Sequence, residues 1–288
     1  MRMHGLLLFS AAAVLMASPS WAGPPPGGGA TTIGVYVPAS ERFFLRNSNS
    51  AGTADAGNFK FSVTAAAGDE LPLACDWNGD GTDTIGVYVP ATERFFLRNS
   101  NSSGAADAGN FKFSVTAAAG DELPVVGDWN GDGNCTIGVY VPATERFFLR
   151  NSNSAGAADA GNFKFSVTAA ASDELPGFGD WNGDLTTTIG SYVPSTERFF
   201  LRNANSAGAV DAGNFKFSVT AAVSDELPVT GDCNADGTTT IGVYVPASER
   251  FFLRNANSAG AADAGNFKFS VTASPSDERP LFGDWDGL

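Results

Sequence analysis

The chain has 288 residues, 43% of them hydrophobic, and its 31 acidic residues against 17 basic ones give a formal net charge of −14. An acidic surface repels phosphate backbones and anionic lipid, so the composition argues against nucleic-acid and membrane partners and favours divalent cations. The three cysteines, Cys75, Cys135 and Cys233, are an odd number at unrelated spacings, which excludes a disulfide framework.

The first 22 residues have the pattern of a secretory signal peptide. Arg2 precedes an apolar run from Leu6 to Met16, and Ser20 and Ala22 are small residues three and one before the expected cut. The run is too short to remain as a membrane span, and no later segment is apolar enough to cross a membrane. We therefore expect an exported, soluble chain that is secreted, periplasmic or at the cell surface. The only histidine, His4, would leave with this leader, which closes imidazole-based mechanisms to the mature protein.

A Pro- and Gly-rich lead-in, residues 23–31, is predicted to be flexible and precedes five repeats over residues 32–288. Two motifs recur every 52 residues without insertion or deletion. ERFFLRN begins at Glu41, Glu93, Glu145, Glu197 and Glu249, and NFKFSVTA begins at Asn58, Asn110, Asn162, Asn214 and Asn266. A fixed period of this kind indicates a repeat architecture, in which each period is one structural unit.

Within one repeat, apolar residues recur with period two, which predicts strands. In the third copy, four such segments are separated by stretches rich in turn-forming residues. They are Leu123 to Trp129, Thr136 to Val141, Arg146 to Asn151 and Asn162 to Thr168. Four short strands with four connections of similar length account for the period.

A repeated four-stranded antiparallel unit of this length is typical of a propeller blade, since helical repeats and coils of a parallel β-helix are shorter. Strand two carries apolar groups on both faces, as expected for a sheet covered by neighbours on both sides. The predicted fold is an all-β, five-bladed β-propeller, and we expect a monomer. The repeats begin at strand two (Thr32) and the last one runs out after strand one, so the C-terminal strand Arg279 to Trp285 is predicted to complete the N-terminal blade and close the ring.

The loop between strands one and two, DWNGDG in the third copy, begins at Asp128. It has oxygen-bearing side chains at positions one, three and five and a glycine at position six, as the first half of a calcium loop requires. An EF-hand fails, because position twelve is Val87 or Val139 and the flanks are strands. The alternative is a hairpin whose Asp and Asn side chains only cap the backbone.

The stretch DWNGDGTDTIGVYVP, Asp76 to Pro90, resembles the FG-GAP or VCBS-type repeat of integrin α-chain propellers and many secreted bacterial proteins. The resemblance covers the chain from Thr32 onward and implies calcium-binding loops on one face of a propeller, with a role in adhesion or ligand binding. The implied calcium ligands are Asp76, Asn78, Asp80, Asp128, Asn130, Asp132, Asp180, Asn182, Asp184, Asp232, Asn234 and Asp236.

The loops depart from the family pattern, and calcium binding is expected to be weak. Position nine, an aspartate in the integrin form, is threonine in this chain, so each loop offers only two carboxylates and a Kd of about 10⁻⁴ to 10⁻³ M is expected. Leu185 and Ala235 depart from the expected glycines at positions six and four of their loops. The loop at Asp284 runs only to Leu288 and is incomplete.

Other residues leave alternatives open. Asn/Ser/Gly loops between strands three and four share a face with the DWNGDG loops and form either a sugar-binding rim or a ring of solvated turns. The tryptophans at loop position two are expected in the core between blades rather than as a sugar platform. One disulfide, Cys75 to Cys135, is geometrically possible, but drift between copies is the preferred interpretation.

The resulting functional expectation is a non-catalytic binding or adhesion module for an extracellular protein. A lectin-like propeller that binds a glycan is the alternative, and a hydrolase or lyase on the same scaffold is the third and least favoured hypothesis. Catalysis is not expected because almost every carboxylate occurs five times in one setting. The residues unique to one copy form no catalytic constellation: Asp83, Leu185, Ser191, Val210 and Arg279.

Overall fold

The computed structural model describes residues 29–63, 70–115, 122–167, 174–219, 226–271 and 278–288. The predicted signal peptide (1–22) and most of the lead-in (23–28) lie outside the described residues. The described residues form five four-stranded antiparallel sheets, each a blade of a propeller.

The blades are built alike, with strand one innermost and strand four outermost. From inner to outer strand, blade 1 consists of β20 (Arg279–Gly283), β1 (Thr32–Val37), β2 (Arg42–Leu45) and β3 (Gly57–Lys60). Blade 2 consists of β4 (Leu71–Cys75), β5 (Thr84–Val89), β6 (Arg94–Leu97) and β7 (Gly109–Lys112), and blade 3 of β8 (Leu123–Gly127), β9 (Thr136–Val141), β10 (Arg146–Leu149) and β11 (Gly161–Lys164). Blade 4 consists of β12 (Leu175–Gly179), β13 (Thr188–Val193), β14 (Arg198–Leu201) and β15 (Gly213–Lys216), and blade 5 of β16 (Leu227–Gly231), β17 (Thr240–Val245), β18 (Arg250–Leu253) and β19 (Gly265–Lys268).

The four strands predicted in the third copy are all present, and strand two matches residue for residue. Strand one ends at Gly127, earlier than predicted, because the Asp128 side chain accepts hydrogen bonds from the loop that follows. Strand three ends at Leu149, because the guanidinium of Arg150 turns into the next loop. Side-chain hydrogen bonds therefore decide where the ladders stop.

The ring is closed by the C-terminal strand, as predicted. β20 pairs antiparallel with β1, in the register that places Thr32 opposite Gly283 and Tyr36 opposite Arg279. Each inner strand also contacts the inner strands of the two adjacent blades, so that β20, β4, β8, β12 and β16 form an unbroken circle. Blade 1 is thus assembled from the two ends of the described chain.

The core lies between the blades. Strand two is buried on both faces, and Ile137, Val139 and Tyr140 are all inaccessible to solvent. Within blade 3 the rings of Tyr140 and Phe147 lie 4.7 Å apart, and Phe147 stacks on Phe163 at 6.0 Å. Aromatic side chains bury large areas, so each blade contributes a cross-strand row of rings that packs against its neighbours.

A buried tyrosine–glutamate hydrogen bond joins consecutive blades. Tyr88 of blade 2 donates its hydroxyl to Glu122 of blade 3 at 2.7 Å, and both side chains are buried. Burial first, and then the Glu122 charge, raise the pKa of Tyr88 above its ordinary value, so the phenol stays protonated. The same bond joins Tyr140 to Glu174, Tyr192 to Glu226 and Tyr244 to Glu278.

Short 3₁₀ turns lie between strands two and three on the face that carries these glutamates. They are Pro38–Ser40, Pro90–Thr92, Pro142–Thr144, Pro194–Thr196 and Pro246–Ser248. Each is followed by a left-handed glutamate, as at Glu41, whose φ is 52°. Burial alone would raise the pKa of Glu41, but hydrogen bonds from Lys60 at 2.7 Å and Ser62 at 2.8 Å outweigh it and lower the pKa.

The opposite face joins consecutive blades through the backbone, at contacts called seams below. At each seam the backbone N–H at loop position eight donates to the carbonyl oxygen of the position-one aspartate in the preceding blade, at 2.7 to 2.9 Å. The five pairs are Thr31 with Asp232, Asp83 with Asp284, Cys135 with Asp76, Thr187 with Asp128 and Thr239 with Asp180. These bonds run round the whole ring.

Side chains at the seams are matched in pairs. The residue before the position-one aspartate, called position zero, faces position eight of the next blade. A Cβ added at Gly127 would lie 2.4 Å from Cγ2 of Thr187, so glycine is required wherever position eight is threonine. At one seam the pair is instead Cys75 and Cys135, which form a disulfide with their Cα atoms 5.9 Å apart.

The preferred interpretation of these cysteines as drift between copies was therefore wrong. The two substitutions compensate each other, since a Cys at position zero would collide with threonine but bonds to a second Cys. The sequence indicated that this disulfide was possible but gave no reason to prefer it, because the residues are 60 apart and meet only where adjacent blades pack. Cys233, the third cysteine, is not in a disulfide.

No helix among the described residues is long and apolar enough to cross a membrane.

Candidate functional site: the loop face

The candidate site is the face formed by the loops between strands one and two and between strands three and four, called the loop face below. The sequence predicts that both loop types share this face. A direct bond confirms it in blade 3, where the Asn153 amide of the second loop donates to the carbonyl oxygen of Cys135 in the first at 2.8 Å. The equivalent bond is made by Asn49, Asn101, Asn205 and Asn257.

The position-one aspartate holds the first loop together. The Asp76 carboxylate accepts backbone N–H bonds from Asn78, Gly79 and Asp80 on Oδ1, at 2.7 to 3.2 Å. Its Oδ2 accepts the N–H of Gly81 at 2.8 Å. This is an Asp cap of the kind expected from the hairpin alternative. Asp128 and Asp180 also accept the N–H groups of positions four and six, and Asp232 accepts those of positions three, five and six.

Positions three and five form the exposed tip of the first loop. The Asn78 amide donates to Oδ2 of Asp80 at 2.9 Å, and Oδ1 of Asp80 accepts the N–H of Thr82 at 2.9 Å. These two bonds lower the pKa of Asp80, and the bond from Asn78 has the larger effect, so the Asp80 carboxylate is charged at neutral pH. The same pairing occurs in Asn130 with Asp132, Asn182 with Asp184 and Asn234 with Asp236.

The structure thus brings together the three predicted calcium ligands of each loop, but it uses their polar atoms within the loop. Six to eight oxygen ligands are typical of a calcium site. Among the described residues there is no group of three or more acidic, histidine or cysteine side chains placed to hold a metal ion. At position nine the Thr136 hydroxyl donates to the carbonyl oxygen of Gly127 at 3.3 Å, whereas the buried hydroxyl of Thr84 has no hydrogen-bond partner. Calcium binding at these loops stays a prediction.

The incomplete loop at Asp284 is completed by the lead-in. The N–H of Gly29 donates to Oδ2 of Asp284 at 3.1 Å, as that of Gly81 does to Asp76. Gly29 therefore occupies loop position six, and Thr31 follows at position eight. The sequence held this signal, because residue 29 lies one repeat period before Gly81.

Two loops keep the left-handed turn without the usual glycine. Leu185 at position six has φ of 70° and Ala235 at position four has φ of 57°. Left-handed backbone costs an L-residue about 1–2 kcal/mol. Leu185 is also one of two large hydrophobic side chains exposed in the described part of the chain, the other being Leu288.

Replacing Leu185 by Gly is expected to stabilise the fold by about 1 kcal/mol, because the strained φ is relieved. The measurement is the free energy of unfolding in urea. The matched control is the reverse change at the same loop position, Gly133→Leu, where a Cβ would have nothing within 4 Å and only the backbone φ of 87° is tested. We expect a loss of similar size there. An unchanged or lower stability of Leu185→Gly would contradict the strain argument.

The second loop is organised by an arginine. In blade 3 the Arg150 guanidinium donates to the carbonyl oxygens of Ser154 at 2.8 Å and Ala155 at 3.1 Å, and to the Ser154 hydroxyl at 3.0 Å. Asp159 accepts the N–H of Asn151 at 2.7 Å and lies 3.6 Å from Arg150. The amide and hydroxyl groups of this loop are therefore mostly engaged with one another, which gives a rim of fixed shape.

The loop face is strongly acidic. Among the described residues, the ion pairs join Arg to Asp within the second loops or Lys to Glu on the opposite face. The aspartates of the first loops therefore lack a cationic partner: Asp76, Asp80, Asp128, Asp132, Asp180, Asp184, Asp232, Asp236, Asp284 and Asp286. A ring of like charges with little compensation attracts cationic ligands.

The tryptophans at loop position two do not form a platform on this face. Trp129 is buried, donates its indole N–H to the carbonyl oxygen of Ile137 at 3.3 Å, and meets Phe178 of the next blade edge-on at 6.4 Å. The expectation that these residues belong to the core between blades is confirmed. Sequence reasoning missed the position-eight residues, whose role depends on contacts between blades.

The fold and this face define the class of protein, a five-bladed β-propeller with five similar acidic loop pairs. Comparison of the sequence with protein-family models gives no match, and comparison with curated proteins gives none. The resemblance to FG-GAP and VCBS-type repeats therefore depends on the loop and strand residues alone.

Proposed function

We propose that the protein is an exported, non-catalytic binding module that uses its loop face to engage an extracellular protein. The observation that carries this proposal is the repetition of one rigid, acidic loop pair round a single face. Several weak contacts of the same kind can combine into a firm attachment when their geometry is fixed. The charge of the face favours a ligand with basic groups.

Export is supported by the disulfide between Cys75 and Cys135, since such bonds persist in oxidising compartments. The non-catalytic role is supported by the surroundings of the single-copy residues. Asp83, Ser191 and Arg279 are buried, and Leu185 and Val210 carry no reactive group. The loop-face carboxylates occur in repeated settings, whereas acid–base catalysis needs groups in unequal ones.

A binding assay with purified extracellular proteins of acidic to basic isoelectric point tests the proposal. The test variant replaces Asp80, Asp132, Asp184 and Asp236 by Asn, and the control replaces Arg42, Arg94, Arg146 and Arg198 by Gln, away from the loop face. We expect basic ligands to bind the parent and the control but not the test variant. Equal binding by both variants, or hydrolytic activity lost on changing one single-copy residue, would contradict it.

A glycan ligand is the alternative, because amide and hydroxyl groups of the second loops line the same face. Their mutual hydrogen bonds leave few of them free, as the paired hydroxyls of Ser152 and Ser154 at 3.0 Å show. A glycan array with and without chelator separates the two functions. Binding to a defined sugar that survives the four Asp→Asn changes would favour the lectin over the protein-binding module.

Calcium is proposed as a weak stabilising ligand of the first loops, held by the side chains at positions one, three and five. At a calcium concentration ten times Kd, each occupied loop would stabilise the fold by about 1.4 kcal/mol. We therefore expect a higher Tm in millimolar calcium than in chelator, and a smaller difference in the variant with Asn at all four position-five sites. No difference in the parent protein would count against calcium, without affecting the binding proposal.

A further inference from the structure

Three first loops contain an Asn–Gly pair at their exposed tip: Asn78–Gly79, Asn130–Gly131 and Asn182–Gly183. Such pairs are chemically labile. The backbone nitrogen of the glycine loses its proton and attacks the side-chain carbonyl carbon of the asparagine, a C–N bond forms, and ammonia leaves. Water then opens the cyclic imide to aspartate or isoaspartate. Exposure and the lack of a side chain on glycine both favour this reaction.

The structure opposes the first step. The attacking N–H donates to the position-one carboxylate, at 2.7 Å from Gly79 to Asp76, and the corresponding bonds are 2.8 Å in the third blade and 2.7 Å in the fourth. Removing that proton would create negative charge on a nitrogen beside a carboxylate, which Coulomb repulsion disfavours. The hydrogen bond to a charged acceptor is itself among the stronger ones and would be lost.

The electrophilic side chain is restrained as well. The asparagine amide donates to the position-five carboxylate, at 2.9 Å from Asn130 to Asp132. Rotation toward the glycine nitrogen would break this bond. Both reacting groups are thus held by neighbouring aspartates.

The fifth blade provides an internal comparison. Its loop reads Asn234–Ala235, and the alanine methyl group hinders the same attack. The Asp232 carboxylate accepts N–H bonds from Asn234, Asp236 and Gly237, and Ala235 is not among its donors in the described structure. The hydrogen bond to position four therefore accompanies glycine at that position. It occurs in the three Asn–Gly loops and also in blade 1, where the N–H of Gly287, after Asp286, donates to Oδ1 of Asp284 at 2.9 Å.

We infer that the position-one aspartates Asp76, Asp128 and Asp180 protect the Asn–Gly bonds of the loop face from deamidation, by holding the glycine N–H. The aspartates thereby preserve both the backbone and the charge of the exposed tips. This role is independent of whether a ligand or calcium binds there.

The test follows ammonia loss by peptide mass spectrometry after incubation of the full chain in mildly alkaline buffer. The variants are Asp128→Ala and Asp76→Ala, and a short unstructured peptide with the DWNGDG sequence gives the unprotected rate. In the parent we expect all three asparagines to react on the order of tenfold or more slowly than the peptide, the ratio associated with one charge-assisted hydrogen bond.

In Asp128→Ala we expect Asn130 alone to accelerate toward the peptide rate, while Asn78 and Asn182 report from the same molecule that the ring is intact. In Asp76→Ala the acceleration should move to Asn78. The inference fails if Asn130 is unchanged in Asp128→Ala, if the parent reacts as fast as the peptide, or if all three sites accelerate together, since protection would then come from the fold as a whole.

Discussion

Replacing Cys135 alone by Thr is expected to destabilise the protein more than replacing Cys75 by Gly and Cys135 by Thr together. The single change removes the disulfide and places a threonine against the Cβ of Cys75. At the equivalent seam, a Cβ added at Gly127 would lie only 2.4 Å from the threonine Cγ2, so we expect a collision. The double change also removes the disulfide but recreates the Gly–Thr pair of the other seams. The disulfide spans 60 residues, for which loop-closure entropy predicts about 4 kcal/mol.

Urea unfolding of the parent, both single variants and the double variant gives a complete cycle. We expect the double variant to lose less than about 4 kcal/mol relative to the parent, and Cys135→Thr to lie about 1–3 kcal/mol below the double variant, the usual range for an overpacked core. Adding reductant should lower the stability of the parent and leave the double variant unchanged. If Cys135→Thr is as stable as the double variant or more stable, the threonine does not collide with Cys75 and the seam argument is wrong.

Replacing Asp83 by Thr is expected to stabilise the protein at neutral pH by about 1–3 kcal/mol, the range for a poorly satisfied buried polar group. Asp83 is the position-eight residue of the seam between blades 1 and 2, where three other blades have threonine. It is fully buried, its Oδ2 accepts the N–H of Asp284 at 2.7 Å, and its Oδ1 has no hydrogen-bond partner. Burial first, and then the charges of Asp284 and Asp76, raise the pKa of Asp83 well above its ordinary value.

The raised pKa of Asp83 determines whether the stability of the protein rises or falls with pH. Between the ordinary pKa of 3.8 and the raised pKa of the folded state, the folded protein keeps a proton that the unfolded chain has lost. The stability of the parent should therefore fall as pH rises through that interval. The Thr variant should lack this part of the slope, and so should Asp83→Asn, which keeps the shape without the charge. A benefit that is the same at acidic and neutral pH would contradict the electrostatic explanation.

The fold could be predicted from the sequence because every local signal is repeated five times. A period without insertions fixes strand number, and the alternation in segments such as Thr136–Val141 fixes their type. The phase of the two ends indicated closure. The contacts between blades were harder to predict. The Cys75–Cys135 disulfide was recognised as geometrically possible but not preferred, and no spacing within one repeat reveals the bond between Tyr88 and Glu122.

The candidate site was only partly predictable for a related reason. The loop motif identifies Asp128, Asn130 and Asp132 as neighbours, and they are. It does not say whether their oxygens point to a cation or to the loop's own N–H groups, because both uses need the same residue types at the same spacing. The structure shows hydrogen bonds from the loop's own N–H groups to these oxygens, and cation binding by the same oxygens stays a prediction.

The unbroken circle of seam bonds affects how the protein unfolds. In an open array of repeats the terminal units are held on one side only and can fray independently of the rest. In this ring every blade is held on both sides, so no blade can detach before a seam breaks. Once one seam breaks, the two blades beside it become ends. Unfolding should accordingly be a single cooperative event governed by the weakest seam, with uniformly slow exchange of buried amides until that seam opens.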